Sequence, residues 1–108
     1  MDIRPASEGH TLVIPKEHYE NIFDTPEELL AQVHKVAKRI STAAKKATGA
    51  DGISIVQQNG RAAGQDIFHL HIHVIPRFEG QKMTRFSEVS AVTRESLEEV
   101  AAKIRQHL

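Results

Sequence analysis

In Ile67-Phe68-His69-Leu70-His71-Ile72-His73-Val74-Ile75, apolar and imidazole side chains alternate from Phe68 to Val74 without a break. Successive side chains of a β-strand point to opposite faces. The pattern therefore predicts a strand over Ile67–Ile75, ended by Pro76. Phe68, Leu70, Ile72 and Val74 would form its buried face, and His69, His71 and His73 the other. A slip of one residue would bury three imidazoles and expose four large apolar groups, so the register is firmly specified.

Three aligned imidazoles suit more than one chemistry. Neighbours at i and i+2 lie about 6.6 Å apart along a strand and the outer pair about 13 Å. With Zn–N near 2.0–2.1 Å, two neighbours share an ion easily, whereas three need an inward lean or a further ligand such as His10 or Asp66. Alternatively, the middle ring acts as a nucleophile. A neutral imidazole attacks phosphorus and forms a covalent intermediate. Flanking rings disfavour its protonation and pass protons to a leaving group. A third possibility is a solvated or internally satisfied strand face with no chemistry.

Upstream of the strand, Asn59-Gly60-Arg61-Ala62-Ala63-Gly64 is a glycine-bounded loop whose backbone N–H groups, through Gln65, suit a phosphate. It lacks the Gly-Lys-Ser/Thr of a Walker loop. Before it, Asp51-Gly52 is a turn signal and Ile53–Gln58 a second strand. Thr25-Pro26-Glu27-Glu28 has the form of a capping box with proline at the first helical position. Leu29, Val33, Val36, Ala37, Ile40, Ala44 and Ala47 follow as an apolar stripe of helical period, and Gly49 is a natural stop. Lys35, Lys38, Arg39, Lys45 and Lys46 take the solvated side. His10–Pro15 reads as a further short strand. Residues 77–92 carry no clear pattern. A last helix begins at Thr93, with Leu97, Val100, Ala101, Ile104 and Leu108 as its stripe. His18 and His34 read as surface or turn residues, His107 as part of the last helical turn, and Arg77 as a solvated cation.

Composition narrows the function classes. The chain has 108 residues, the size of one domain. It contains no cysteine, which removes disulfides, thiolate nucleophiles and sulfur-based zinc sites. Fourteen basic and fourteen acidic residues balance, so no general affinity for nucleic acid or acidic membranes is expected. No run approaches the ~20 apolar residues of a membrane span. MDIRPASEGH has no signal-peptide core. The cytoplasm is the expected location.

These residues resemble the histidine triad (HIT) family. Its signature is matched by His69-Leu70-His71-Ile72-His73-Val74-Ile75. Gln58–Asp66 is similar to the family's loop, and Gly9-His10-Thr11-Leu12-Val13-Ile14-Pro15-Lys16-Glu17-His18 to its first strand. The resemblance implies a single α+β domain over residues 1–108. It comprises a mainly antiparallel sheet, one long helix packed on it and a C-terminal helix, usually as a homodimer. It implies a nucleotidyl hydrolase of the nucleotide hydrolase or Hint-like branch, acting at the α-phosphate of nucleoside phosphoramidates or dinucleoside polyphosphates. His71 would be the nucleophile. His73 and His69 would orient it, bind phosphate and assist proton transfer, with His10 in support. Gln58, Asn59, Gly64, Gln65 and Asp66 would line the phosphate and ribose of a purine nucleotide. No cofactor or protein-bound metal is implied; a divalent ion would enter only with the substrate.

Two departures qualify the expectation. Several members have Ser or Thr where this chain has Asp66, and an ionised carboxylate donates no hydrogen bond. Members also usually carry some tens of residues before the Asp2-Ile3-Arg4-Pro5 segment. Without them the nucleobase half of the pocket is expected to be incomplete, and an exposed sheet edge to need a partner. The alternatives are therefore a non-catalytic nucleotide-binding or interaction module, and a His-based metal-binding domain.

Overall fold

The computed structural model describes residues 9–80 together with residues 105 and 108. The described elements run β1 (Thr11–Val13), α1 (Glu27–Thr48), β2 (Gly52–Val56), a 3-10 turn (Arg61–Ala63) and β3 (Ile72–Arg77). The sheet has the order β1-β3-β2, antiparallel throughout, so the architecture is α+β. Thr11 faces Val74 across the β1–β3 pair, and Ser54 faces Ile75 across β2–β3. The expected C-terminal helix and the His107 assignment lie outside the described residues. Among the described residues no helix is long and apolar enough to cross a membrane.

The long helix forms where the apolar period placed it. Val33 and Ala37 on α1 pack against Val13, Ile72 and Val74 of the sheet, with Leu29, Ile40 and Ile53 at the margin. Each fully buried Val or Ile among them contributes about 1.5–3 kcal/mol. Ala43 and Ala44, both fully buried, pack with Ala47 and Ile53. Ala43 was not part of the expected stripe, whereas Val36, which was, is 43% exposed. Val36 and Ala43 are seven residues apart and lie within about 20° of one another around the axis, so the difference between them is one of position along the helix. Gly49 ends the helix at φ 71°, its N–H bonding to Lys45 O at 3.0 Å. Glu27 and Glu28 in the first turn and Lys45 and Lys46 in the last complement the dipole.

The expected capping box does not form. Pro26 occupies the cap with no side-chain cap bond, and Thr25 Oγ1 instead donates to Asn21 O at 2.6 Å. The cause lies upstream. Asp24 accepts the N–H groups of Glu20 and Asn21, both at 3.0 Å, and Asn21 Oδ1 accepts that of Phe23. This turn delivers the Thr25 hydroxyl to a carbonyl before the helix begins.

The histidine strand is shifted relative to its expected bounds: β3 starts at Ile72, and Pro76 lies within it. Pro76 sits opposite Ile53 and beyond the Ile72–Val74 stretch that β1 pairs, so no β1 ladder bond is lost there. Residues 67–69 bend instead of extending. The main-chain N–H of Leu70 donates to Tyr19 O at 2.7 Å, outside any ladder. Ile67 and Phe68 are therefore exposed, and only Leu70, Ile72 and Val74 of the predicted apolar face are buried. Gly52, expected in a turn, is the first residue of β2.

Candidate functional site

The bend before β3 decides how the three imidazoles are presented. They are not a row of equivalent rings on one strand face. His73 lies within β3, His71 immediately precedes it, and His69 belongs to the bend. The His71 and His73 rings stand edge to face with centroids 5.0 Å apart. His73 Nδ1 lies 2.9 Å from His10 Nε2, one donating to the other, and both rings are buried. His10 reaches this position because β1 and β3 are neighbours, with Leu12 opposite His73.

His69 joins the other two through its main chain. His71 Nδ1 lies 2.7 Å from His69 O. A carbonyl only accepts, so Nδ1 carries the proton and, in the neutral ring, Nε2 holds the lone pair. The ring of His69 points elsewhere: its Nε2–H donates to Pro15 O at 2.9 Å. Its Nδ1 then faces His18 Nδ1 at 3.2 Å, with the two rings 5.0 Å apart and near perpendicular. His18 was read from sequence as a surface or turn residue; its separation of 51 positions from His69 leaves no local signal of the pairing.

The loop residues divide into two groups. Gln65 is buried, and its amide is fully engaged within the protein. Oε1 accepts from Gly60 N at 2.8 Å and Asn21 Nδ2 at 3.4 Å, and Nε2 donates to Glu20 O at 2.6 Å and Ile67 O at 3.0 Å. Asn59 Oδ1 accepts the N–H of Ile22 at 2.8 Å and Gln57 Nε2–H at 3.1 Å. The main-chain N–H groups of Ala63, Gly64 and Gln65 all donate to Gly60 or Arg61 carbonyls. The expectation that they are held open for a phosphate is thus corrected: a tight 3-10 turn uses them itself. Gln58 and Gly64 form the second group. Gly64 has φ +95°, and a Cβ there would lie 2.6 Å from Gln58 Nε2, so only glycine lets this amide cross the loop. Asp66 is exposed.

Other expected positions resolve plainly. Arg77 Nε donates to Ser54 Oγ at 3.2 Å and bridges the two strands instead of standing free in solvent. His34 Nδ1–H donates to Leu30 O on the exposed side of α1. A groove of about 650 Å³ lies along α1 between Lys35, Lys38, Arg39 and Leu108, and it includes none of the described histidines. Among the described residues, no three or more His, Asp or Glu groups are placed to hold a metal ion.

A family model for the HIT domain matches residues 1–80. The chain belongs to the HIT family. An uncharacterised HIT-like protein of Methanocaldococcus jannaschii is 43% identical over 106 residues, covering 97% of this chain and 79% of that protein. The adenylylsulfatase HINT3 of Arabidopsis thaliana is 48% identical over 79 residues, which are 73% of this chain but 40% of that protein. Among solved HIT structures, a HIT-like protein from Bartonella henselae superposes with a TM-score of 0.93 at 46% identity, covering 100% of this chain and 77% of that one. The chain thus spans about four fifths of its archaeal relative and less than half of the plant one.

Proposed function

We propose that this HIT domain is a nucleotidyl hydrolase in which His71 Nε2 attacks the α-phosphorus of a nucleoside phosphoramidate or dinucleoside polyphosphate. The observation that carries the reading is the His71 Nδ1–H···O=C His69 bond, which leaves the lone pair on the other nitrogen. In the first step a P–N bond forms to His71 and the bond to the leaving group breaks. The leaving group departs with the electron pair and, if it is an amine, takes up a proton. In the second step water adds to phosphorus, loses a proton and displaces His71. The net products are a nucleoside monophosphate and the free amine or nucleotide.

His73, in contact with the His71 ring and paired with His10, is assigned phosphate binding and proton transfer. His69 is assigned orientation of His71. Gln58, with its amide lying over Gly64, and Asp66 at the end of the loop are assigned contacts to phosphate and ribose. Asn59, Gly64 and Gln65 give that rim its shape. A purine nucleotide is the proposed substrate class. The plant relative's name adds adenylyl sulfate, whose reacting atom is also an α-phosphorus. No step draws on a metal, and chelator-treated protein is expected to turn over unchanged. A second copy of the chain is the proposed partner, since among the described residues β2 is an edge strand with Ile55 46% exposed.

The test is intact mass spectrometry after brief exposure to an adenosine phosphoramidate. The expected result is a nucleotidyl adduct that maps to His71. Binding of AMP by calorimetry with neither adduct nor turnover would make the domain a non-catalytic nucleotide binder.

A further inference from the structure

We infer that His18 is a positioning residue for His71, acting through His69; the inference rests on the assignment of His71 as nucleophile. The carbonyl that receives His71 Nδ1–H is not held by the sheet. β1 ends at Val13 and β3 begins at Ile72, so regular pairing stops short of His69. In its place the segment from Pro15 to Tyr19 grips residues 69 and 70 at three points. Pro15 O accepts from His69 Nε2–H at 2.9 Å, His18 Nδ1 meets His69 Nδ1 at 3.2 Å, and Tyr19 O accepts from Leu70 N–H at 2.7 Å.

The third grip bears directly on the nucleophile. His69 C=O and Leu70 N–H belong to one peptide unit, which is planar. Pinning the N–H on Tyr19 fixes the direction of the carbonyl toward His71. His18 precedes Tyr19 and supplies the only side chain among the three grips from this segment. With His69 Nε2–H committed to Pro15 O, Nδ1 of a neutral His69 ring has only a lone pair to offer, so His18 Nδ1–H donates. His18 thereby ties the Pro15–Tyr19 segment to the bend. Loss of that tie loosens the shared peptide plane and weakens the His71 Nδ1–H bond. The ring then partly adopts the opposite tautomer, which carries a proton on the attacking nitrogen.

The experiment compares wild type, His18→Ala, His18→Asn and, as a control on the exposed helix face, His34→Ala. Single-turnover adduct formation with an adenosine phosphoramidate is measured beside AMP affinity. The tautomer of His71 is read from imidazole 15N NMR above the ordinary imidazole pKa of about 6.5. His18→Ala is expected to slow adduct formation about 10-fold, the usual scale for losing a supporting hydrogen bond. AMP affinity should stay unchanged, and His71 should show both tautomers. His18→Asn places an amide N–H near the position of the lost Nδ1–H and is expected to restore the rate to within about 2-fold. His34→Ala should match wild type. A wild-type rate with a single His71 tautomer in His18→Ala overturns the inference. So does a loss confined to AMP affinity, or a failure of Asn to rescue. Wild type without any adduct overturns the nucleophile assignment itself, and the inference with it.

Discussion

His10 Nε2 and His73 Nδ1 lie 2.9 Å apart although the two residues are 63 positions apart in the chain, and both rings are buried. A buried imidazole pair costs free energy when one partner is removed, because the other loses a hydrogen bond that water does not fully replace. His10→Ala is expected to destabilise the domain by about 1–3 kcal/mol. Urea unfolding followed by circular dichroism checks this, and a midpoint equal to wild type would show that the pair contributes no stability.

His71→Ala separates chemistry from architecture. The ring is 5% exposed but lies outside β3, so its loss should leave the α1–sheet core intact. Removal of a nucleophile whose intermediate carries the reaction costs on the order of 10^4-fold or more. The expected outcome is a cooperative melt with no adduct and no turnover. Normal turnover would end the covalent mechanism.

Gln65 fastens the loop by four hydrogen bonds. Gln65→Ala should cost about 2–6 kcal/mol, at roughly 0.5–1.5 kcal/mol for each bond lost. The corresponding fall in Tm is at least about 10 °C for a domain of this size. Gln65→Glu is nearly isosteric, yet it faces the carbonyls of Glu20 and Ile67 with a group that donates nothing when ionised. It should be no more stable than the alanine variant at neutral pH, and thermal melting distinguishes the two expectations.

Asp24 sets an acid limit on the turn before α1. Its carboxylate accepts the N–H groups of Asn21 and Glu20, which hold its pKa below the ordinary 3.8. A depressed folded pKa contributes stability that is present above the unfolded value and is lost as pH falls through the folded one. The melting temperature of wild type should therefore decline below about pH 4 more steeply than that of Asp24→Asn. Parallel curves for the two proteins would refute the assignment.

The helix and the three strands were legible because each follows from a period or a punctuation residue, whereas the closeness of His10 to the triad was implied by the family resemblance alone. Val33, Ala37 and Ala44 repeat on one arc, and Gly49 supplies the left-handed stop. What escaped detection depended on competition between distant partners. Thr25 has the right spacing for a capping box, but Asp24 and Asn21 bend the chain first and redirect its hydroxyl. The His69-Leu70 alternation reads as strand, but Tyr19 takes the Leu70 N–H and halts the extension. The resemblance assigned Gln65 to phosphate and ribose, and a glutamine beside a glycine loop has no sequence mark showing that its amide clasps the loop itself. His18 was passed over for the same kind of reason: its partner lies on the far side of α1 in the sequence.

The strand order β1-β3-β2 has a consequence for synthesis on the ribosome. Both outer strands depend on a central one that is made after them and after α1. Val33 emerges 39 residues ahead of Ile72, its partner in the core. At about 5–20 residues per second, the helix waits roughly 2–8 s with its apolar arc uncovered. Nascent chains stalled before residue 72 should therefore be the species that chaperones hold and proteases cut, and a chain released past residue 77 the first that closes the sheet.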